Sequence, residues 1–174
     1  MPRSLADGHT KFVLMTIKPA GWDTGVITDT EFNAGVDASC NVMSSDFAFG
    51  ATDSDKVAEK ALCVTNNANS LGAGNYTAGA TFFRYFDDTG ASATAEGDDS
   101  FQAVKEKGTT LYAAARKTSK LSTAPGEAGD EIYLAAEILT DTPQPPSDQG
   151  GYIKWRVPME VQTAFDNVVL AAGA

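Results

Sequence analysis

The side chains best suited to chemistry are one histidine and two cysteines. His9 is the only histidine, so a Ser-His-Asp site would have to include it, and it lies in a polar N-terminal stretch far from any nucleophile context. Cys40 and Cys63 lack the C-x-x-C spacing of zinc sites, and with His9 they make only a scattered set of three ligands. These residues favour neither nucleophilic catalysis nor a metal site.

Two stretches of the chain are rich in carboxylates. The first contains Asp53, Asp55 and Glu59 and resembles a fragment of a calcium loop. The second contains Asp87, Asp88, Glu96, Asp98 and Asp99. Neither stretch has the D-x-D-x-D-G spacing with a closing glutamate that a calcium loop requires. Both are interpreted as solvated acidic loops.

Two further carboxylates, Glu131 and Glu137, would suit a glycoside hydrolase if they flanked one bond. Such pairs are common on the solvated face of a sheet, so an acidic hydrolase ranks third among the function classes. The spaced glycines of residues 70–79 (SLGAGNYTAG) lack the Gly-Lys-Ser/Thr of a phosphate-binding loop. The sequence therefore predicts no catalytic site and no cofactor.

The chain has 174 residues, a net charge of −10 and 43% hydrophobic residues, which indicates one globular domain. Phosphate backbones repel so acidic a surface, which argues against wrapping or reading nucleic acid. No apolar stretch approaches the ~20 residues that span a bilayer, and no apolar core of a signal peptide follows the N-terminus. Cys40 and Cys63 are therefore expected to be buried free thiols, because a disulfide between them has no support from sequence.

Alternating and β-branched stretches predict a mainly β fold. The predicted strands are residues 11–17, 75–86, 109–117, 130–141 and 152–162. Residues 37–50 are predicted to form extended pieces with Phe47 and Phe49 on one face. Residues 53–64 fit both a helix and a strand, and a strand is favoured because no glycine-free run of helical length surrounds them. Residues 65–75 are predicted to be a polar loop.

One helix is predicted clearly, at residues 100–107. Asp98 or Asp99 supplies its N-cap, Phe101 and Val104 give it an apolar side, and Gly108 ends it. A turn of helix is also predicted within residues 28–36, with Thr28 or Asp29 as its cap and Gly35 as its stop.

The last two predicted strands are expected to pair in an antiparallel hairpin. One register places Glu137 opposite Lys154, and a two-residue slip places it opposite Arg156. Alternation puts Glu131, Tyr133, Ala135 and Glu137 on one face of the first strand and Ile132, Leu134, Ala136 and Ile138 on the other. Pro158 has no N–H to donate, so its strand is predicted to be an edge strand or bulged.

Several stretches of the chain together resemble one family. They are MPRSLADGHTKF, NAGVDASC, SSDFAFGATDSDKVAEKALC, the run from NYTAG to FFRYFDD, KGTTLYAAAR and GDEIYLAAEILTDTPQPPSDQGGYIK. Over nearly the whole chain they look like the major tail proteins, or tail tube proteins, of long-tailed, non-contractile bacteriophages (siphoviruses), especially those that infect actinobacteria. The resemblance is strongest at residues 44–63 and 130–154, weakens after residue 163, and involves no catalytic signature.

The resemblance implies a single tail tube domain over residues 1–174, a β-sandwich or barrel-like fold with one packed helix. It implies homohexameric rings that stack helically into a tube, the conduit for DNA delivery into the host, with no enzyme activity. The implied partners are other copies of the chain, the tape measure, tail terminator and distal tail proteins, and DNA in non-specific passage, with no membrane insertion. The implied location is the virion tail, after assembly in the host cytoplasm.

The net charge suggests how DNA would pass through such a tube. A ring repeats every surface charge in each subunit, so lysines facing the lumen would bind phosphates strongly. Acids and neutral polar groups are therefore expected to line the lumen, with lysines and arginines pointing outward or lying in interfaces. The candidate lumen-facing acids are Asp87 and Asp88, in a flexible excursion at residues 87–99, and Glu131 and Glu137.

Contacts between subunits are expected at the flexible N-terminal arm (residues 1–10), the long loop 65–75, the proline-stiffened loop 140–151 and the edge strand near Pro158. The candidate inter-subunit residues are Arg3, His9, Asn67, Pro143, Pro145, Pro146, Lys154 and Arg156. The main alternative from another class is a β-sandwich that binds carbohydrate or a host surface through an exposed aromatic platform. Trp22 is the tryptophan that such a platform would use.

Overall fold

A computed structural model describes residues 6–63, 65, 70–147 and 150–173 of the chain. The strands are β1 (Thr10–Met15), β2 (Val36–Asp37), β3 (Ala48–Thr52), β4 (Lys56–Val57), β5 (Ser70–Leu71), β6 (Asn75–Phe83), β7 (Thr110–Lys117), β8 (Glu131–Thr140) and β9 (Lys154–Val169). The helices are α1 (Asp29–Ala34) and α2 (Asp99–Val104), with 3-10 turns at Trp22–Thr24, Ser44–Asp46 and Thr94–Glu96. The fold is mainly β, which confirms the prediction. Within these ranges, none of the helices has the length and apolar character needed to span a membrane.

The main sheet has seven antiparallel strands in the order β2-β1-β7-β8-β9-β6-β3, and one stretch of chain, residues 36–52, joins its two ends. The stretch begins as β2, paired with β1. Asn41 then accepts a hydrogen bond from the Phe83 N–H of β6 (2.9 Å), and Met43 donates one to the Thr81 carbonyl (2.8 Å), before β3 continues the pairing with β6. The sheet therefore curls into a barrel.

The inside of the barrel is filled by one apolar cluster, the inner cluster. Phe12 of β1 and Phe49 of β3 come from nearly opposite ends of the strand order, yet their ring centroids are 5.2 Å apart. α2 adds the buried side chains of Phe101 and Val104 to the same cluster, as the sequence predicts. Full burial of a side chain of this size contributes about 1.5–3 kcal/mol, so the inner cluster is a main source of stability.

A second apolar cluster, the outer cluster, covers the outer face of β1, β7 and β8. Ile27 and Phe32 pack there, and both are fully buried. Trp22 is also buried, and its ring lies edge-on to Tyr112 (4.9 Å between centroids) and Phe165 (5.4 Å). The expectation that Trp22 could serve an exposed aromatic platform is therefore wrong, because the loop that carries it folds back onto the sheet.

α1 begins and ends where the sequence predicts. Its N-cap is Thr28, whose hydroxyl accepts a hydrogen bond from the Glu31 N–H (3.2 Å), while the Glu31 carboxylate accepts one from the Thr28 N–H (2.9 Å). At the other end the Gly35 N–H donates to the Phe32 carbonyl. N-capping of this kind contributes about 0.5–2 kcal/mol, which holds a short helix in place over the outer cluster.

α2 is shorter than predicted, because it ends at Val104 and not at residue 107. Gly108, with φ of +81°, lies beyond the helix and leads the chain into β7. Asp98 occupies the N-cap position, but its carboxylate makes no capping hydrogen bond. That carboxylate forms an ion pair with Arg84 instead, and the sequence pattern did not predict this interaction.

β8 and β9 form the predicted antiparallel pair, but both predicted registers are wrong. Glu137 lies opposite Thr163, and the N-terminal part of β9, which includes Lys154 and Arg156, pairs with β6. The error arises because β9 continues to Val169, so its C-terminal half lies beside β8.

A β-bulge at Tyr133 breaks the alternation predicted for β8. Ile132 packs in the outer cluster, whereas Leu134 packs in the inner cluster. The prediction that these two residues share a face is therefore wrong. Because the bulge shifts the alternation by one residue, Glu131 and Glu137 also lie on opposite faces of the strand.

β9 is an interior strand of the sheet, so the prediction of an edge strand at Pro158 is wrong. The alternative of a bulge there is also wrong, because the register with β6 is continuous through Pro158. The Pro158 carbonyl accepts a hydrogen bond from the Asp141 N–H (2.9 Å), and the N–H and C=O of a strand residue point to the same side. On that side β8 has ended at Thr140, and pairing resumes only between Gln144 and Arg156. The proline is tolerated because its missing donor faces a gap in the pairing.

Residues 53–63 form neither a helix nor a long strand. β4 pairs with β5 in a two-stranded hairpin that is separate from the barrel sheet. Cys63 follows β4 in a turn, Cys40 lies in a turn after β2, and both thiols are free and exposed. The prediction of buried thiols is wrong because each cysteine falls in an irregular connection.

A buried ion pair holds the connection between β7 and β8. Arg116 is fully buried, and its guanidinium donates to Asp130 at 2.8 Å. The same group donates to the carbonyls of Leu121 (2.9 Å), Ala124 (3.0 Å) and Pro125 (2.9 Å). These bonds form a cage around one guanidinium and fix a stretch that has no regular secondary structure.

Removal of this guanidinium is expected to destabilise the fold strongly. We expect Arg116→Met to lower the free energy of unfolding by about 3–5 kcal/mol, because three loop carbonyls lose their donor and Asp130 loses its buried partner, keeping only Lys120 (2.6 Å) as an ion-pair partner. Lys107→Met is the matched control, since Lys107 is exposed and pairs with Asp141 at 3.3 Å; it should change the free energy by less than about 1 kcal/mol. Urea denaturation measures both, and equal effects of the two substitutions would contradict this account.

Candidate functional site

The residues with catalytic or metal-binding potential are dispersed over the described chain. His9 donates from Nδ1 to the Lys120 carbonyl (3.0 Å), and Cys40 and Cys63 lie in separate turns. Across residues 6–63, 65, 70–147 and 150–173, no group of three His, Cys, Asp or Glu side chains is arranged to hold a metal. The candidate functional sites of this chain are therefore its surfaces for contact with other molecules.

Asp87 and Asp88, two of the candidate lumen acids, lie in a turn that is held by hydrogen bonds. The Asp87 carboxylate accepts from the Thr89 N–H (2.8 Å), the Thr89 hydroxyl (2.6 Å) and the Ala91 N–H (2.9 Å). Asp88, next to it, is exposed. The excursion at residues 87–99 therefore has a defined conformation.

Asp98 fixes this excursion to the barrel. It is fully buried and accepts hydrogen bonds from Arg84 Nε (2.7 Å), the Tyr85 N–H (3.0 Å) and Gln102 Nε2 (2.8 Å). The Arg84 guanidinium in turn lies 4.0 Å from the centroid of the Phe101 ring, a cation–π contact. Burial alone would raise the pKa of Asp98, but the hydrogen bonds from Arg84 and its neighbours outweigh it and hold that pKa well below its usual range.

The other two candidate acids are far apart. Glu131 is exposed at the start of β8, whereas Glu137 is half-buried beside Tyr112 and Thr163. Six residues of strand separate them by about 20 Å, and the bulge at Tyr133 places them on opposite faces. The structure therefore does not gather the four candidate acids into one cluster.

Several of the candidate inter-subunit residues do come together. Pro145, Pro146 and Lys154 line a shallow cavity of about 210 Å³. Tyr152 and Ile153 border the same cavity and are largely exposed, at 81% and 59%. We call these five residues the proline platform. An exposed apolar patch of this kind is typical of a contact surface.

The remaining candidate inter-subunit residues are placed separately. Pro143 is half-buried in the loop after β8, and Arg156 lies 3.6 Å from Asp46. The predicted pairing of Lys154 or Arg156 with Glu137 is wrong, because these lysine and arginine positions lie beside β6. Arg3 and Asn67 lie outside the described residues.

One candidate surface is absent from the sequence-based predictions. β9 pairs with β6 only through Met159, and from residue 160 to residue 169 its backbone pairs, within the described chain, with β8 alone. We call residues 160–169 the open edge of β9. Thr163, Phe165 and Val168 are β-forming residues that could have indicated a longer strand.

Comparison with known proteins decides the family. A family profile described as "Phage tail tube protein" matches residues 1–174, the whole chain. The chain belongs to the phage tail tube protein family. No curated protein and no solved structure matches it significantly.

Membership of the family makes this tail tube protein a structural component of the virion tail. It assembles with copies of itself and with other tail proteins. The family is a structural one and is not a known enzyme family. The proline platform and the open edge of β9 are therefore considered as assembly surfaces of a tail tube protein.

The Asp98 network gives this tail tube protein a specific pH dependence. Because the folded-state pKa of Asp98 lies below its unfolded-state value, the carboxylate stabilises the fold fully above about pH 4–5 and loses this effect as pH falls toward the folded-state pKa. Asp98→Asn should therefore lower the free energy of unfolding by about 3–5 kcal/mol near neutral pH, and by less at about pH 3.

Urea denaturation at several pH values measures the effect. Asp88→Asn is the matched control, since Asp88 is exposed on the same excursion, and it should change the free energy at neutral pH by no more than about 0.5 kcal/mol. A deficit of Asp98→Asn that is independent of pH would contradict the ionised, buried carboxylate.

Proposed function

We propose that this chain is the repeating subunit of the tail tube of a long-tailed, non-contractile phage, and that its copies close into homohexameric rings that stack helically. The tube is the conduit for DNA delivery into the host. The observation that carries the ring proposal is the open edge of β9. A strand edge presents a row of N–H and C=O groups that bind another strand readily, so it is a liability in a protein that acts alone and a connector in one that assembles.

The open edge supports a ring because the contact it makes is heterologous. One copy offers residues 160–169, and a neighbour offers a different surface, so the same contact repeats from copy to copy until the ring closes. Backbone pairing fixes the angle between neighbours more firmly than side-chain contacts do. The proline platform adds an apolar surface that is already ordered, so it loses little entropy on binding.

The charge pattern supports passage of DNA. At residues 154–160 of β9 and along β6 and β3, the outer face carries no residue of either apolar cluster. On this face the side chain of Arg156 lies across Gly79 and close to Asp46, which offsets its charge. A lumen lined by acids and neutral polar groups would repel phosphates and let DNA slide. Asp87, Asp88, Glu131 and Glu137 are our candidate acids for this wall.

The remaining parts of the proposal follow from the same assembly. The tape measure, tail terminator and distal tail proteins are the proposed neighbours along and at the ends of the tube. Assembly is proposed to take place in the host cytoplasm, and an actinobacteriophage is the proposed source.

Purified protein is expected to form rings and tubes as its concentration rises. Negative-stain electron microscopy detects them, and a cryo-EM map of the tube gives the charges around the lumen. We expect the lumen to be acidic or neutral. Monomers under every condition would contradict the assembly, and a mainly basic lumen would contradict the mechanism of DNA passage.

Hydrogen exchange tests the role of the open edge without any substitution. Along residues 160–169, apart from the bulge at Gln162, alternate amides face β8 and the others face the open side. Assembly should slow exchange of the outward-facing amides by tenfold or more, on the order of one new hydrogen bond each, while residues 110–117 of the central strand β7 stay protected in both states. If residues 160–169 exchange as fast in tubes as in the monomer, the open edge is not part of the ring contact.

A further inference from the structure

A groove runs along the barrel where β1 and β3 come together. Two adjoining cavities, of about 640 and 480 Å³, share Thr10, Phe47 and Lys117 and together form this groove. The larger cavity also reaches Phe12 and Cys40. We call this feature the seam groove.

The groove exists because the barrel is not closed by hydrogen bonds at this point. β2 and β3 are the last strands at each end of the sheet order, and in the described chain β3 pairs with β6 alone. The two ends are held together by aromatic contacts, with the Phe12 ring 4.9 Å from that of Phe47 and 5.2 Å from that of Phe49. The floor of the groove is therefore aromatic and belongs to the inner cluster.

The β4–β5 hairpin carries apolar side chains that the chain itself does not cover. Leu62, in the turn after β4, is completely exposed, and Leu71 and Val57 are exposed by 76% and 47%. The strands of this hairpin pair only with each other in the described chain. Exposed apolar side chains on a hairpin are stabilised when another surface removes them from water.

We propose that residues 59–63 of one copy, which follow β4 and which we call the hairpin tip, dock in the seam groove of a second copy. This inference rests on the proposed tube and names one of its contacts. Burial of Leu62 against the half-buried Phe47 would remove apolar surface on both sides from water. The contact is heterologous, because tip and groove are different parts of the same chain, so it propagates from copy to copy.

Charge favours the same partner. Lys117 stands at the rim of the groove, and Glu59 lies three residues before Leu62 at the tip. Within the described residues neither side chain has an ion-pair partner of its own chain. Docking of the tip would offer each of them one, and a charge pair at the rim of a contact helps to set its orientation.

The two cysteines of the chain report on this contact directly. Cys40 lines the seam groove, Cys63 is adjacent to Leu62, and both are exposed. Assembled wild-type protein treated with a short bis-maleimide should therefore give a ladder of dimers, trimers and longer species on a denaturing gel, because each copy can be linked through both cysteines.

Single substitutions separate this contact from others. Cys40→Ser or Cys63→Ser assembled alone should give no linked species, whereas tubes made from a mixture of the two variants should give dimers and nothing longer. Dimers from either variant alone would show like-with-like contacts and overturn the proposal. Tubes without any linked species would overturn it while leaving the proposed function intact, and absence of tubes would overturn both.

Assembly thresholds give a second measurement. Leu62→Asp should raise the protein concentration needed for tubes by roughly tenfold or more. Ile17→Asp is the control, because Ile17 is equally apolar and 82% exposed but follows the far end of β1, and it should leave the threshold within about twofold of the wild-type value. Equal thresholds for the two variants would overturn the proposal.

Discussion

The barrel depends on the pairing of β9 with a different neighbour along each half of its length. Residues 154–159 pair with β6 and residues 159–169 with β8. The strand has 16 residues, which corresponds to about 50 Å, so it is longer than either partner. This difference in length leaves the open edge at one end of β9 and sets the proline platform at the other. Both surfaces are therefore attached to the same strand, with Pro145 and Pro146 of the platform added by the loop after β8.

This arrangement suits a protein that assembles by repeating the same contact from copy to copy. In a long polymer a small error in the angle between two copies accumulates, so the contact surfaces must keep a fixed relation within each subunit. A single strand, paired with β6 along one half and with β8 along the other, supplies that relation. The Arg116 cage and the Asp98 network fix the connections around it. Polar groups buried in this way contribute more to the definition of one conformation than to net stability. The structure thus places its rigid parts between its assembly surfaces.

Sequence alone predicted the mainly β fold, most strands, the capped helix α1 and the apolar side of α2, because these depend on local spacing and local hydrogen bonds. It failed where the outcome depends on distant partners. The register of Glu137 required the true length of β9, the faces of Glu131 and Ile132 required the bulge at Tyr133, and the burial of Trp22 required the loop to fold over the outer cluster. The candidate acids remain predictions, since the lumen is formed only between subunits.

The centre of the barrel wall has a consequence for how the chain folds. Residues 113–115 of β7 lie opposite residues 134–136 of β8, and all but one of these six are alanine. A shift by one position there would exchange one methyl group for another, so this stretch scarcely distinguishes the native alignment from its neighbours. Correct alignment is enforced at its two ends, by Arg116 on one side and by the Thr109–Thr140 hydrogen bonds on the other. Newly synthesised chains should therefore sample misaligned hairpins early, and reach the native alignment only once these polar groups find their partners.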